Sequence, residues 1–217
     1  MRDDLEQQEQ VDALRGFWRD HRRWILGLVI LVAASVAGYQ GFQAWQSSRA
    51  QAATRLLERM ETALRAEKLD EAEANGLLLI KDYSTTTHAA LAGLRMAKAH
   101  VAAGAPEKAL PLLAHAAKSD DKGLAWIAKV RAAAVLMDLS RFPEALTQLD
   151  GTPPASAVGM VEDRRGDVLV LMQRWGEARA AWEAAQKAML SEADGSRSAE
   201  LVARKLASLD AFAQTGQ

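Results

Sequence analysis

The sequence predicts an all-α protein in which a single transmembrane helix precedes a solenoid of αα-hairpins, closed by a C-terminal capping helix. Three observations predict this architecture. Residues 24–48 carry no charge. Beyond position 45, helix-forming residues dominate, and no four-residue stretch alternates apolar and polar side chains as a strand would. Within that part, a short sequence frame recurs three times, at intervals of 36 and 33 residues.

Composition excludes several classes of function. The chain has 217 residues, with 27 basic and 28 acidic side chains. Nucleic-acid binding rests on clustered Lys and Arg that neutralise phosphates, so this balance argues against a nucleic-acid partner. The chain contains no cysteine, which excludes disulfides, thiolate zinc sites and cysteine nucleophiles.

The uncharged stretch has the length and flanking residues of a membrane span. Residues 24–45 would form a helix of roughly 33 Å at about 1.5 Å per residue, close to the ~30 Å hydrocarbon core of a bilayer. Aromatic rings favour the headgroup region at both edges of a bilayer. We expect Trp24 to mark one edge, and the anchors at the other edge to be Tyr39, Phe42 and Trp45.

Basic residues set the predicted orientation of the span. Four arginines precede it within nine residues, whereas the arginines that follow are more widely spaced. The positive-inside rule therefore places residues 1–23 in the cytoplasm and residues 46–217, the repeat domain, in the periplasm.

The apolar stretch also fits a signal peptide or a core helix. A cleavable signal peptide could use the small residues Ser35 and Ala37 as its cleavage site, although the 23 residues before the apolar stretch include six acidic ones. A buried core helix is the second alternative, although helices of soluble proteins rarely run this far without a charge. Both alternatives stay open on the sequence alone.

Three aligned segments define the repeat. They begin at Gly104, Ser140 and Gln173, and each carries a small residue five positions later. The spacing of these small residues is close to the 34-residue period of tetratricopeptide repeats. A weaker copy contains Ala72, and the three aligned small residues are Ala109, Ala145 and Ala178.

Close packing of the two helices of a hairpin explains the frame. Each first helix has a small residue where its partner would cross, and each second helix has a bulky residue one turn past its own small residue. The small residues of the first helices are Ala97, Ala133 and Gly166, and the bulky residues of the second helices are Leu113, Leu149 and Trp182.

The two ends of the stack and one internal proline complete the prediction. Residues 49–65 are expected to continue the membrane helix as the first helix of the stack. A last helix from about Ser198 to Phe212 has an apolar stripe that would cap the other end. Pro111 lies too far inside its helix to be accommodated in the first turn, so we expect a kink there.

The sequence offers little for catalysis, and it predicts no enzyme, cofactor or metal site. The four histidines lack the i, i+4 spacing of a helical zinc site, and we expect each on the surface or in a groove. No nucleotide-binding or serine-hydrolase motif occurs. Acidic pairs such as Glu162 and Asp163 fall at predicted helix starts, where carboxylates cap free N–H groups.

The remaining candidate surface is the concave face of the repeats. In the tetratricopeptide frame this face is formed by three positions on each first helix. The set is mostly apolar and differs from the Lys, Asn and Arg set that clamps a peptide carboxylate in some such domains. Packing against the capping helix is the alternative role for these residues. The candidate partner-binding residues are Leu94, Lys98, Val101, Val130, Met137, Asp163 and Asp167, with Ala134 and Val170 in the same frame.

Three blocks carry a resemblance to a known family. They are an acidic N-terminal segment ending in Gln10–Trp18 before a single span, the block Asp163–Met172 (DRRGDVLVLM), and the block Gly176–Ala184 (GEARAAWEA). With these blocks the chain resembles the YfgM-like proteins of Gram-negative bacteria over nearly its whole length.

The resemblance implies a function and a location. It implies an ancillary subunit of the Sec translocon in the inner membrane, anchored in lipid by one span. It also implies that the periplasmic repeats associate with the translocon and with a membrane-anchored peptidyl-prolyl isomerase-like chaperone. A second class of single-span tetratricopeptide protein, which serves cytochrome c maturation, shares this architecture and remains the alternative.

Overall fold

The computed structural model describes residues 2–192 and 195–215, and within them it is helical without a strand. It divides into two compact units, Met1–Gln51 and Ala52–Gln217. The predicted all-α fold is confirmed. In chain order the helices are α1 (Arg2–Arg65), α2 (Leu69–Asp82), α3 (Thr87–Ala102), α4 (Pro106–Ala116), α5 (Lys122–Asp138), α6 (Phe142–Gln148), α7 (Ala155–Leu171), α8 (Trp175–Leu190) and α9 (Ser196–Thr215).

In the described part of the second unit, four hairpins are followed by a last helix. The part of α1 from Ala52 onward packs against α2, with Met60 beside Gly76. The pairs α3/α4, α5/α6 and α7/α8 follow. We call α1, α3, α5 and α7 the first helices and α2, α4, α6 and α8 the second helices. The weak upstream copy of the repeat is therefore a complete hairpin.

The four turns inside these hairpins share one geometry. In each, one residue has a left-handed backbone, and the next N–H donates to the carbonyl oxygen five residues earlier, at 2.8–2.9 Å. This bond is the Schellman helix end. Gly104 adopts the left-handed conformation without a steric penalty. The left-handed residues and their φ angles are Glu67 (58°), Gly104 (75°), Ser140 (59°) and Gln173 (61°).

Complementary pairs of large and small residues fill the hairpin interiors. Each pair joins a residue of the first helix to the residue sixteen positions later on the second helix. The three predicted pairs place a small residue on the first helix, and most of their members are buried below 3% exposure. The first hairpin inverts the order, since its large residue, Met60, is on the first helix and its small residue, Gly76, is on the second. A Cβ on Gly76 would lie 3.1 Å from Met60 Sδ. The four pairs are Met60/Gly76, Ala97/Leu113, Ala133/Leu149 and Gly166/Trp182.

The aligned alanines of the second helices are fully buried. Ala72, Ala109, Ala145 and Ala178 each have 0% exposure. Helix α4 runs on to Ala116 through Pro111, so the proline does not end the helix. The run Asp194-Gly195-Ser196 also predicts a break before the last helix, and Asp194 lies outside the described residues.

Helix α9 covers the C-terminal end of the stack, as predicted. Its residues Ala199, Val202 and Leu209 are buried against Trp182 and Met189 of α8. The bare apolar face that a terminal repeat would expose is therefore covered by a helix of the same chain.

Candidate functional site

The first helices of the second and third hairpins enclose the candidate groove. A cavity of about 370 Å³ lies between α3 and α5, and its lining is mostly apolar. Four residues of the predicted concave face meet there, and Leu94 is buried while Lys98 and Val101 are exposed. The lining consists of Leu94, Ala97, Lys98, Val101, Ala102, Leu113, Arg131, Ala134, Val135 and Asp138.

Two other predicted residues of α5 lie away from this cavity. Val130 and Met137 are half-buried and pack against the core cluster that contains Trp126, Leu136 and Val161. Part of the side-chain surface of each residue contributes to the packing between the third and fourth hairpins. Of the three α5 positions in the predicted frame, Ala134 lines the cavity, and the other α5 residues there are Arg131, Val135 and Asp138.

The acidic residues of α7 have partners within the chain. Lys205 of α9 donates through Nζ to Asp163 Oδ1 and Asp167 Oδ1, at 2.6 Å each. Trp182 Nε1 donates to the Asp163 carbonyl oxygen at 3.2 Å and to Asp167 Oδ1 at 3.3 Å. Asp163 lies in the middle of α7, so the predicted position at a helix start is wrong. Packing against the capping helix, the alternative role of these residues, fits both carboxylates, because α9 supplies their cation.

Helix α9 is held at its outer end as well. Arg179 of α8 forms an ion pair with Asp210 of α9, and this contact raises the pKa of Arg179. Val170, the third predicted residue of α7, packs against the buried cluster that α8 and α9 share. The concave face of the last hairpin is consequently occupied by contacts to α9.

The histidines are not all on the surface. His100 is 2% exposed, and its Nε2 lies 3.8 Å from Glu73 Oε2. The expectation of a surface or groove position is therefore wrong for His100, whose ring fills space between α2 and α3. Burial, with a smaller contribution from Lys118, lowers the pKa of His115. Within the described ranges, no group of three or more His, Asp and Glu side chains could hold a metal ion.

The predicted membrane anchors lie on an exposed part of α1. Within it, the stretch His21–Arg65 is long and apolar enough to cross a membrane, and its most apolar window has no burial within the chain. This exposure is inconsistent with the alternative of a buried core helix. Trp24 is 83% exposed, and the Phe42 and Trp45 ring centroids lie 6.1 Å apart. The Arg49 guanidinium lies 5.0 Å from the centroid of Trp45.

Comparison with known proteins matches this architecture. The family model described as "Tetratricopeptide repeat-like domain" matches residues 15–211. The chain belongs to this family. The match begins before the apolar stretch and ends inside α9, so it includes the candidate span and all four hairpins.

Two relatives match the chain over most of its length. A protein of Escherichia coli (strain K12), named ancillary SecYEG translocon subunit, is 27% identical over 85% of this chain and 89% of its own length. A protein of Neisseria gonorrhoeae with the same name is 27% identical over 94% of this chain and 98% of its own length. The predicted resemblance to the YfgM-like family is thereby confirmed. No solved structure gives a significant match.

Sequence reasoning missed three cations near the concave face, Arg131, Arg164 and Lys205. The repeat frame contained a signal for the two arginines, because they occupy the same position of their repeats, 33 residues apart. Lys205 lies on the capping helix, which has no partner helix from which a frame could be read.

Proposed function

We propose that this protein is a non-enzymatic, membrane-anchored scaffold that associates with the Sec translocon. The observation that carries the proposal is the match to two proteins named ancillary SecYEG translocon subunit, over 85% and 94% of this chain. A tetratricopeptide repeat-like domain contributes binding surface, and the apolar helix supplies a tether that raises its local concentration beside a partner in the same membrane.

The proposed topology follows from the distribution of charge. Residues 1–23 lie in the cytoplasm, 24–45 span the inner membrane, and 46–217 form the periplasmic repeat domain. The arginines before the span support this orientation. In this topology the exposed span and its four aromatic anchors contact the lipid.

The proposed partners are the translocon itself and a membrane-anchored peptidyl-prolyl isomerase-like chaperone. The groove between α3 and α5 supports a binding role, because it combines an apolar floor with charged residues at its edge. Leu94, Lys98 and Val101 are its proposed contact residues on α3. Asp163 and Asp167 take a different role, which is to hold α9 through Lys205.

Affinity purification from detergent-solubilised membranes of the native organism tests the proposal. Tagged full-length protein should recover SecYEG subunits, and a fragment of residues 49–217 exported without the span should recover less, because it lacks the tether. An unrelated single-span periplasmic protein with the same tag is the control. Recovery of cytochrome c maturation components without any SecYEG subunit would overturn the proposal.

A further inference from the structure

Cations recur at one position of the first helices. Two residues before the small residue of the hairpin pair, α3, α5 and α7 carry Arg95, Arg131 and Arg164. We call the position three residues further along each first helix the facing position. From the first hairpin to the last, this facing position is occupied by Glu61, Lys98, Ala134 and Asp167.

At both ends of the stack, the acid at the facing position contacts a cation of the element that follows. Arg95 Nε of α3 lies 2.9 Å from Glu61 Oε1 of α1. Lys205 Nζ of α9 lies 2.6 Å from Asp167 Oδ1 of α7. An acid at the facing position is therefore within reach of a cation on the next helix of the concave face.

In the middle of the stack this neutralisation is missing. The facing position for Arg131 holds Lys98, so a second cation stands where the end repeats have an acid. Among the described residues, neither Lys98 nor Arg131 has an ion-pair partner, and both line the apolar cavity between α3 and α5. Asp138, the one acidic residue of the described lining, likewise has no ion pair.

The next repeat lacks an acid at the facing position as well. The facing position for Arg164 holds Ala134, which also lines the cavity. Arg164 donates through one terminal nitrogen to Asp167 Oδ2 at 3.3 Å. Its Nε is buried without a hydrogen-bond partner among the described residues. An excess of positive charge therefore lies in the middle of the concave face, where Lys98 and Arg131 share the cavity lining with one carboxylate, Asp138.

We propose that the cavity between α3 and α5 binds an acidic side chain carried on an apolar segment of a partner protein. The segment's apolar side chains would pack on Leu94, Val101 and Val135, while its carboxylate would lie between Lys98 and Arg131. The inference rests on the proposed scaffold function and specifies the chemistry of the partner. A cavity of about 370 Å³ admits side chains of a peptide, whereas a flat membrane surface does not enter a concave groove.

The test uses full-length protein in detergent micelles and three labelled synthetic peptides, with binding followed by fluorescence anisotropy. The first peptide is built of Leu-Glu-Ser units, and in the other two Gln or Lys replaces each Glu. We expect the Glu peptide to bind more tightly than the Gln peptide by about fivefold or more, since an exposed ion pair contributes up to about 1 kcal/mol and two cations act together. The Lys peptide should bind most weakly.

Three substitutions assign the effect to the groove. Lys98→Glu should remove the preference for the Glu peptide, because the new carboxylate would pair with Arg131 as Glu61 pairs with Arg95. Arg131→Gln should reduce the preference, and both variants should melt within a few degrees of the parent. Lys108→Glu is the matched control, since it makes the same charge reversal at an exposed position of α4 and should keep the preference.

Several results would overturn this inference. They are equal binding of the three peptides, absence of binding by the Glu peptide, or an equal loss of preference in Lys108→Glu. Binding of phosphatidylglycerol vesicles that Lys98→Glu abolishes, without discrimination among the peptides, would assign the cations to lipid instead. Recovery of SecYEG subunits in the membrane purification, combined with any of these results, would leave the scaffold function standing and remove only the groove chemistry.

Discussion

Adding a single methyl group at Gly166 tests the packing of large against small residues in the last hairpin. A Cβ at this position would lie 2.4 Å from Trp182 Nε1 and Cδ1, well inside the normal contact distance of about 3.5–4.0 Å. The indole is rigid, and its Nε1 donates to the Asp163 carbonyl and to Asp167. A displaced indole would therefore lose these bonds as well.

The expected cost follows from three contributions. Overpacking destabilises the fold by about 1–3 kcal/mol, and loss of the indole hydrogen bonds by about 1 kcal/mol. Replacing Gly by Ala inside a helix stabilises it by about 1 kcal/mol. We expect Gly166→Ala to lower the free energy of unfolding by about 2 kcal/mol. For a domain of this size class, the melting temperature should fall by about 4–8 °C.

A second substitution turns this cost into a test of the repeat frame. The second and third hairpins already use Ala with Leu at the equivalent positions, as Ala97/Leu113 and Ala133/Leu149. Trp182→Leu alone leaves a cavity and costs about 2–4 kcal/mol. The double variant Gly166→Ala/Trp182→Leu should be less destabilised than the sum of the single variants by about 1 kcal/mol or more.

Scanning calorimetry of the full-length protein in detergent measures these differences. Gly176→Ala is the matched control, because a Cβ there would meet no atom within 4 Å and the melting temperature should stay the same or rise slightly. Two results would refute the proposed pairing of positions 166 and 182. One is a Gly166→Ala variant as stable as the parent, and the other is a double variant whose loss of stability equals the sum of the losses in the two single variants.

Three further outcomes follow from the same structure. Ala145→Leu and Ala178→Leu should each lower the free energy of unfolding by more than about 1 kcal/mol, measured by calorimetry, because both sites have 0% exposure. Ala184→Leu, at an exposed position, should change it little, and unchanged melting in both buried variants would contradict the hairpin register. Folding lowers the pKa of His115, so the unfolded chain binds a proton more readily, and the stability that the neutral ring allows above about pH 6.5 is lost as the pH falls below that value. His115→Gln should therefore flatten the fall in melting temperature between pH 7.5 and pH 5. An unchanged slope would contradict this role of His115. Protease added to spheroplasts should digest the repeat domain and leave an N-terminal tag protected, whereas protection of the whole chain, or a mature N-terminus at Gly38, would contradict the proposed topology.

The sequence was sufficient to predict the hairpins, because packing and turn geometry act locally. Ala109, Ala145 and Ala178 recur in one frame because each must fit the same close crossing, and all are fully buried. The first hairpin was harder to recognise. Its large residue, Met60, is on the first helix and its small residue, Gly76, is on the second. The two side chains are still complementary in size, but the sequence no longer matches the pattern of the other repeats.

The candidate site was predicted less completely, because its charges are paired over long sequence distances. Lys205 contacts Asp163 and Asp167 from 42 and 38 residues away, and the capping helix has no repeat frame that would place it beside α7. His100 is buried because α2 packs on α3, and the periodicity of the α3 sequence alone does not predict this contact. The α3 residues were predicted better, since the frame alone places Leu94, Lys98 and Val101 on one face.

Site-specific photo-crosslinking in native membranes tests most directly whether the groove contacts the translocon. A photoreactive residue is placed at Val101 or Ala134, which line the cavity between α3 and α5, and at the exposed positions Ala184 and Lys187 of α8 as controls. We expect adducts that contain a SecYEG subunit or a periplasmic chaperone from the two groove positions and not from the two α8 positions. Adducts with a SecYEG subunit from α8 alone, or none from any position, would contradict this expectation.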